Sequence, residues 1–252
     1  MLGLPAGVVA GLFDLDGVLT STARLHATAW QQMFDDFLRA WAERTGQSVR
    51  WFDPVTDYLS YVDGRPRLDG VRTFLASRHI TLPEGSVHDP PERETVHGLG
   101  TRKNEILRRL IREQGVRPYP GSVRYLTAAR EAGLRRAVVT ASANADEVLR
   151  SAGLADLFEV RVDGVVAAER GLRGKPAPDT FLAAAADLGV PPVRACVFED
   201  SLAGVQAGRD GGFGFVVGVD RGGHAEELLR HGASIVVSDL AELLDAGSRH
   251  EP

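Results

Sequence analysis

Short, nearly unbroken apolar runs recur along the chain at residues 8–13, 137–139, 195–198, 213–219 and 234–237. They are too short for ordinary helices and lack the alternation of a half-exposed strand, so they predict strands buried on both faces, as in a parallel sheet covered by helices. Between them the spacing turns helical, at 122–132, 145–152, 179–188, 202–210 and 225–230, with glycines such as Gly133, Gly153 and Gly189 near the ends. Strands alternating with helices of this length predict a doubly wound parallel α/β sheet with right-handed crossovers. The alternation breaks between Thr22 and Pro118. Helical spacing at 23–44, 71–77 and 102–113 is separated there by polar, proline-rich loops such as His88-Asp-Pro-Pro-Glu-Arg. The simplest account is a helical cap, residues 22–117, inserted after the first strand of a core formed by 1–21 and 118–252. The short polar tail after Gly247 is expected to fray.

Composition narrows the function classes. A chain of 252 residues, 44% hydrophobic and 25% charged, buries a sizeable core in one or two domains. A formal net charge of -5 offers no clustered positive charge for nucleic acid. No apolar run approaches the ~20 residues of a membrane span, and the apolar stretch near the N-terminus has no basic leader before it. The single cysteine, Cys196, sits in the apolar run ACVF and is expected to be a buried small hydrophobe. One cysteine also excludes an internal disulfide, so the expected location is cytoplasmic.

Ligands of open α/β sheets bind at the carboxyl ends of the strands, so the residues just after each apolar run matter most. The first run ends in Phe13-Asp14-Leu15-Asp16-Gly17, two carboxylates that can converge on a divalent cation, with Gly17 permitting a tight turn. The second ends in Thr140-Ala141-Ser142-Ala143-Asn144, a hydroxyl- and amide-rich loop suited to a phosphate. Lys175 lies in the stiff loop Gly174-Lys175-Pro176-Ala177-Pro178-Asp179, and the run at 195–198 ends in Glu199-Asp200-Ser201. Each motif alone has a plain alternative. The acidic pairs and the hydroxyls could be helix caps, and Lys175 a solvated surface lysine. Their joint occurrence at the strand ends of one sheet is what argues for a site.

The four segments DLDGVLT, VVTAS, GKPAPD and FEDSLAGVQAG resemble the signatures of the haloacid dehalogenase superfamily, and the resemblance spans essentially the whole chain. Further matches point to the β-phosphoglucomutase-like branch. Thr22-Ala-Arg-Leu-His26 with Ala29-Trp30 resembles the segment after the nucleophile. Gly64-Arg-Pro-Arg67 resembles the phosphate-gripping cap loop, Arg102-Lys103-Asn104 the cap lysine element, and 140–144 the second-phosphate loop. Departures are Ser21, where many relatives carry aspartate, and extra cap residues around 41–57 and 80–96.

The resemblance implies Asp14 as nucleophile and Asp16 as general acid–base. It implies Thr140 and Lys175 on the transferred phosphoryl group, and Mg2+ on Asp14, the Asp16 carbonyl and Asp200 with Glu199 close by. His26, Trp30, Gly64, Arg67, Lys103, Ser142, Ala143 and Asn144 are then expected to contact substrate. Packing is the bland alternative for Trp30 and His26, and solvation for Arg67. The implied activity interconverts β-glucose 1-phosphate and glucose 6-phosphate through the bisphosphate. The alternative is a phosphatase of small sugar or polyol phosphates. A non-catalytic binder of the same fold would be expected to have lost Asp14 or Asp16. A monomer acting on a small sugar phosphate, without nucleic acid or membrane, completes the expectation.

Overall fold

The computed structural model describes residues 1–247 of the chain; the predicted fraying after Gly247 lies outside the described residues. Strand β1 (Ala10–Phe13) is followed by α1 (Ala23–Thr45), one wide π turn at Tyr58–Val62, α2 (Arg67–Ser77) and α3 (Val96–Gln114). Then come α4 (Pro120–Glu131), β2 (Arg135–Val139), α5 (Ala145–Ser151), β3 (Val160–Val162), α6 (Gly164–Glu169) and α7 (Asp179–Asp187). The chain continues through β4 (Ala195–Glu199), α8 (Leu202–Asp210), β5 (Phe215–Val219), α9 (Ala225–His231), β6 (Ile235–Val237) and α10 (Ala241–Gly247). None of the helices among the described residues is long and apolar enough to cross a membrane.

Two compact units result: Met1–Ser21 with the chain from Val116 on, and Thr22–Gly115. In the first, six parallel strands run in the order β3-β2-β1-β4-β5-β6, with β1 and β4 at the centre. The doubly wound parallel sheet expected from the apolar runs is therefore present. Four residues of β1 and five of β4 are fully buried, which is why these runs show no alternation. Phe13 and Phe198 stack with ring centroids 4.3 Å apart, and Tyr125 of α4 closes on both. Strand β3 was not evident from the sequence. It has only three residues, lies at the sheet edge, and places the charged Arg161 between its two valines.

The second unit is helical and has its own aromatic core. Phe34 of α1 packs against Trp30, Phe52 and Phe74. Of the extra cap residues expected around 41–57, residues 41–45 belong to α1, and 46–57 is anchored by the buried Asp57, which accepts from Arg78, Arg50 and the Asp53 amide. The segment at 80–96 ends at Thr95, whose hydroxyl donates to Asp89 and accepts from the Gly98 amide at the head of α3. Helix α3 thus starts at Val96, six residues before the predicted 102. Gly98 and Gly100 look like breakers in the sequence, but position 98 has no space for a side chain, since a Cβ there would lie 2.1 Å from the Arg93 carbonyl.

The chain leaves and re-enters the sheet unit at adjacent points. The Ser21 amide donates to the Arg117 carbonyl at 2.9 Å, with the Ser21 hydroxyl on the same oxygen, and the Tyr119 amide donates to the Leu19 carbonyl.

Candidate active site

All seven charged and hydroxyl-bearing candidates of the sheet unit (Asp14, Asp16, Thr140, Ser142, Lys175, Glu199 and Asp200) sit at or just beyond the carboxyl ends of strands or in the loop before α7. The Asp14 amide still donates to the Phe198 carbonyl of β4, so its side chain is launched from the end of the central ladder. Lys175 Nζ reaches Asp14 Oδ1 at 2.5 Å, contacts Glu199 Oε1 and lies 3.4 Å from the Val139 carbonyl. Glu199 Oε2 accepts from the Ser201 amide and hydroxyl, and Ser201, not the acidic pair, caps α8 through the Gly204 amide. Carboxylate oxygens of Asp14, Glu199 and Asp200 converge within 4.8 Å of one another, and all three residues are buried.

Gly17 makes this convergence possible. Its φ of +96° belongs to the left-handed region, and a Cβ there would stand 1.7 Å from Asp200 Oδ2. The Asp16 carboxylate accepts from the Thr140 hydroxyl at 3.2 Å. Thr140 also accepts from the Ser142 amide, and the Ser142 hydroxyl from the Asn144 amide. These hydroxyls therefore shape the loop and do not cap α5. Ser142 and Asn144 are half-buried, and Ala143 is exposed.

Charge sets the chemistry of the cluster. Burial pushes the Asp14 carboxyl well above the usual carboxylate range. Lys175 opposes the shift, and Glu199 and Asp16 reinforce it. Burial would lower Lys175, but Asp14 and Glu199 outweigh it and hold the ammonium protonated. The Lys175 ammonium is shared by two of the three converging carboxylates, Asp14 and Glu199. Three converging carboxylates are hard oxygen donors, and such a set fits a hard divalent cation such as Mg2+.

In the helical unit, Lys103 is buried, 3.2 Å from His26 Nδ1 and 4.9 Å over the Trp30 ring. His26 and Trp30, four apart on α1, thus meet the same lysine. Arg67 opens α2 after the turn at Gly64, whose φ is +68°. Its side chain packs alongside Gly100, and its Nε is buried without a hydrogen-bond partner. Burial lowers the Arg67 guanidinium from its ordinary range.

Two site neighbours escaped the sequence analysis. Arg221 Nε donates to the Gly17 carbonyl at 3.1 Å, and His224 Nε2 lies 3.1 Å from the Asp200 carbonyl. Both come after β5, so inspecting the end of that apolar run would have found them.

A parallel sheet with this strand-end constellation defines a class, and the family model for haloacid dehalogenase-like hydrolases matches residues 10–212. The chain belongs to this family. Within it, the chain is 56% identical over 247 residues to the β-phosphoglucomutases of Mycobacterium bovis and Mycobacterium tuberculosis, covering 97% of this chain and 94% of theirs. Among solved structures, a β-phosphoglucomutase from Clostridium difficile superimposes with a TM-score of 0.72 at 26% identity, covering 96% of each chain. A hydrolase from Pseudomonas syringae, 22% identical, superimposes with a TM-score of 0.77 over 97% of this chain and all of its own, a likeness of fold.

Proposed function

We propose that the chain is a phosphomutase that interconverts β-glucose 1-phosphate and glucose 6-phosphate through glucose 1,6-bisphosphate, acting as a cytoplasmic monomer. Asp14 attacks phosphorus, the bond to the leaving oxygen breaks, and Asp16 gives that oxygen its proton. The bisphosphate intermediate is formed when a substrate hydroxyl returns its proton to Asp16 and takes the phosphoryl group from the aspartyl-phosphate, freeing Asp14. Splitting the transfer in two lets one positioned acid–base serve both halves. Lys175 and Thr140 take the equatorial phosphoryl oxygens, so the chemistry is mainly positioning and electrostatics. Asp14, the Asp16 carbonyl and Asp200, with Glu199 behind them, would hold Mg2+. When bound, it offsets the charge that otherwise sets a carboxylate against a phosphate. Ser142, Ala143 and Asn144 are assigned to the substrate's second phosphate in the sheet unit.

The helical unit is proposed as the cap. Lys103, set by His26 and Trp30, and the Gly64–Arg67 turn are its substrate contacts. The observation that favours a mutase over a phosphatase is Arg67, a half-buried side chain whose Nε is buried and has no hydrogen-bond partner among the described residues. A buried donor left open in this way is costly unless a ligand fills it, and the planar fork suits a phosphate. The 56% identity to mycobacterial β-phosphoglucomutases supports the same reading.

Phosphorus NMR with Mg2+, β-glucose 1-phosphate and a trace of the bisphosphate tests it. Glucose 6-phosphate should accumulate; release of inorganic phosphate alone would make the protein a phosphatase. Arg67→Ala should lower mutase activity about ten- to hundred-fold, as expected for a charged contact. Hydrolysis of a small phosphate ester with no second phosphate should change far less. An unchanged ratio of the two activities would remove Arg67 from the site.

A further inference from the structure

The loop after β5, residues 220–224, reaches both acid-bearing segments of the site. Asp220 Oδ1 accepts from the amides of Gly222, Gly223 and His224 at 3.0, 2.6 and 3.1 Å, which winds the loop into a compact turn. From this turn Arg221 extends over the Tyr119 ring, 3.7 Å from its centroid, and donates through Nε to Gly17 and through Nη1 to Ser238. His224 meets the other segment. The Asp200 carbonyl 3.1 Å from its Nε2 can only accept, so that nitrogen carries the proton. The two backbone segments held in this way also touch, because Gly17 packs directly on the Asp200 carboxylate.

We propose that the 220–224 loop is a positioning clamp that fixes the Asp14 segment and the Asp200 segment in the mutual register that divalent-cation binding requires. The inference rests on the reading of Asp14, Glu199 and Asp200 as the cation site. Arg221 and His224 reach that site through the carbonyls of Gly17 and Asp200, which makes them positioning residues and not catalytic ones. Packing alone would not favour this arrangement. Arg221 Nη2 is buried without a hydrogen-bond partner among the described residues, an unmade bond that costs stability, while His224 Nδ1 lies 3.5 Å from Asp220 Oδ1. Groups that orient cation ligands from behind commonly affect affinity at a distance from the ion.

The test is a titration of the full chain with Mn2+ followed by electron paramagnetic resonance, which reads binding without turnover. His224→Asn should weaken Mn2+ binding about three- to tenfold, because its amide falls short of the Nε2 position. His224→Gln, whose amide nitrogen reaches it, should stay within about twofold of wild type. Arg221→Met should weaken binding through Gly17 by a similar factor. Thermal unfolding in chelator reports the fold of each variant separately. Wild-type affinity in both His224→Asn and Arg221→Met, or equal losses in His224→Asn and His224→Gln, would overturn the clamp. Asp200→Asn is the control. If it binds Mn2+ like wild type, the cation-site reading itself falls and the clamp with it.

Discussion

Lys175 is one residue asked to serve two carboxylates. Its ammonium is buried against Asp14 and Glu199, so removing it strands two charges away from water. Breaking a buried pair in this way costs about 3–5 kcal/mol. Lys175→Met should therefore unfold at markedly lower temperature than wild type in chelator, as well as losing turnover. The sign with pH comes from the raised Asp14 carboxyl. Its protonated form persists to higher pH than that of an ordinary carboxyl, so acidification removes the stranded charge and the deficit of Lys175→Met should shrink as pH falls. A deficit that grows on acidification would mean the ammonium is not what balances Asp14. Asp14→Asn makes the complementary point. It is nearly isosteric and lacks the attacking charge, so phosphoryl transfer and hydrolysis should both fall to background while the unfolding transition remains cooperative. Retained turnover in folded Asp14→Asn would move the nucleophile elsewhere.

At the scale of elements, the strands carrying the site were legible because burial on both faces writes itself as an unbroken apolar run. Strands β1, β4 and β5 were all found this way, and helix α8 was read with its observed bounds. Strand β3 and helix α6 escaped because three and six residues are too few to set a period. The acidic and lysine motifs were legible because they lie directly at strand ends or in the stiff loop before a helix. The pairing of Thr140 with Asp16 was not, since which oxygen a hydroxyl serves depends on three-dimensional aim. Arg221 and His224 stand at the end of the β5 run, a position that marks them, but which groups they serve was not legible, because their targets are backbone carbonyls. Cys196 was anticipated as a buried small residue in its apolar run, and it lies wholly inside β4. Burial pushes its thiol up in pKa, so little reactive thiolate forms. It should resist alkylation in the native protein and react stoichiometrically once denatured. Rapid labelling under native conditions would show that β4 opens readily.

For the molecule as a whole, the proposed cation site would tie stability to a cation as well as activity. Chelation should abolish turnover and Mg2+ restore it, and the same addition should raise the unfolding temperature, because whatever binds only the native state stabilises it. Full activity after thorough chelation would leave the cluster without its assigned task.

The pairing of Ser21 with Arg117 has a consequence for how such a protein diversifies. To the sheet, the 94 residues of the helical unit are a single loop whose ends are tied at hydrogen-bond distance, whatever lies between them. Closing a loop costs only about 0.6 kcal/mol more for each doubling of its length. Segments 46–57 and 80–95 are each pinned inside the helical unit by a buried aspartate of their own. The doorway at Ser21 and Arg117 is thus a splice point. An insert spliced there can lengthen or shorten while the strand-end residues keep their places on the sheet.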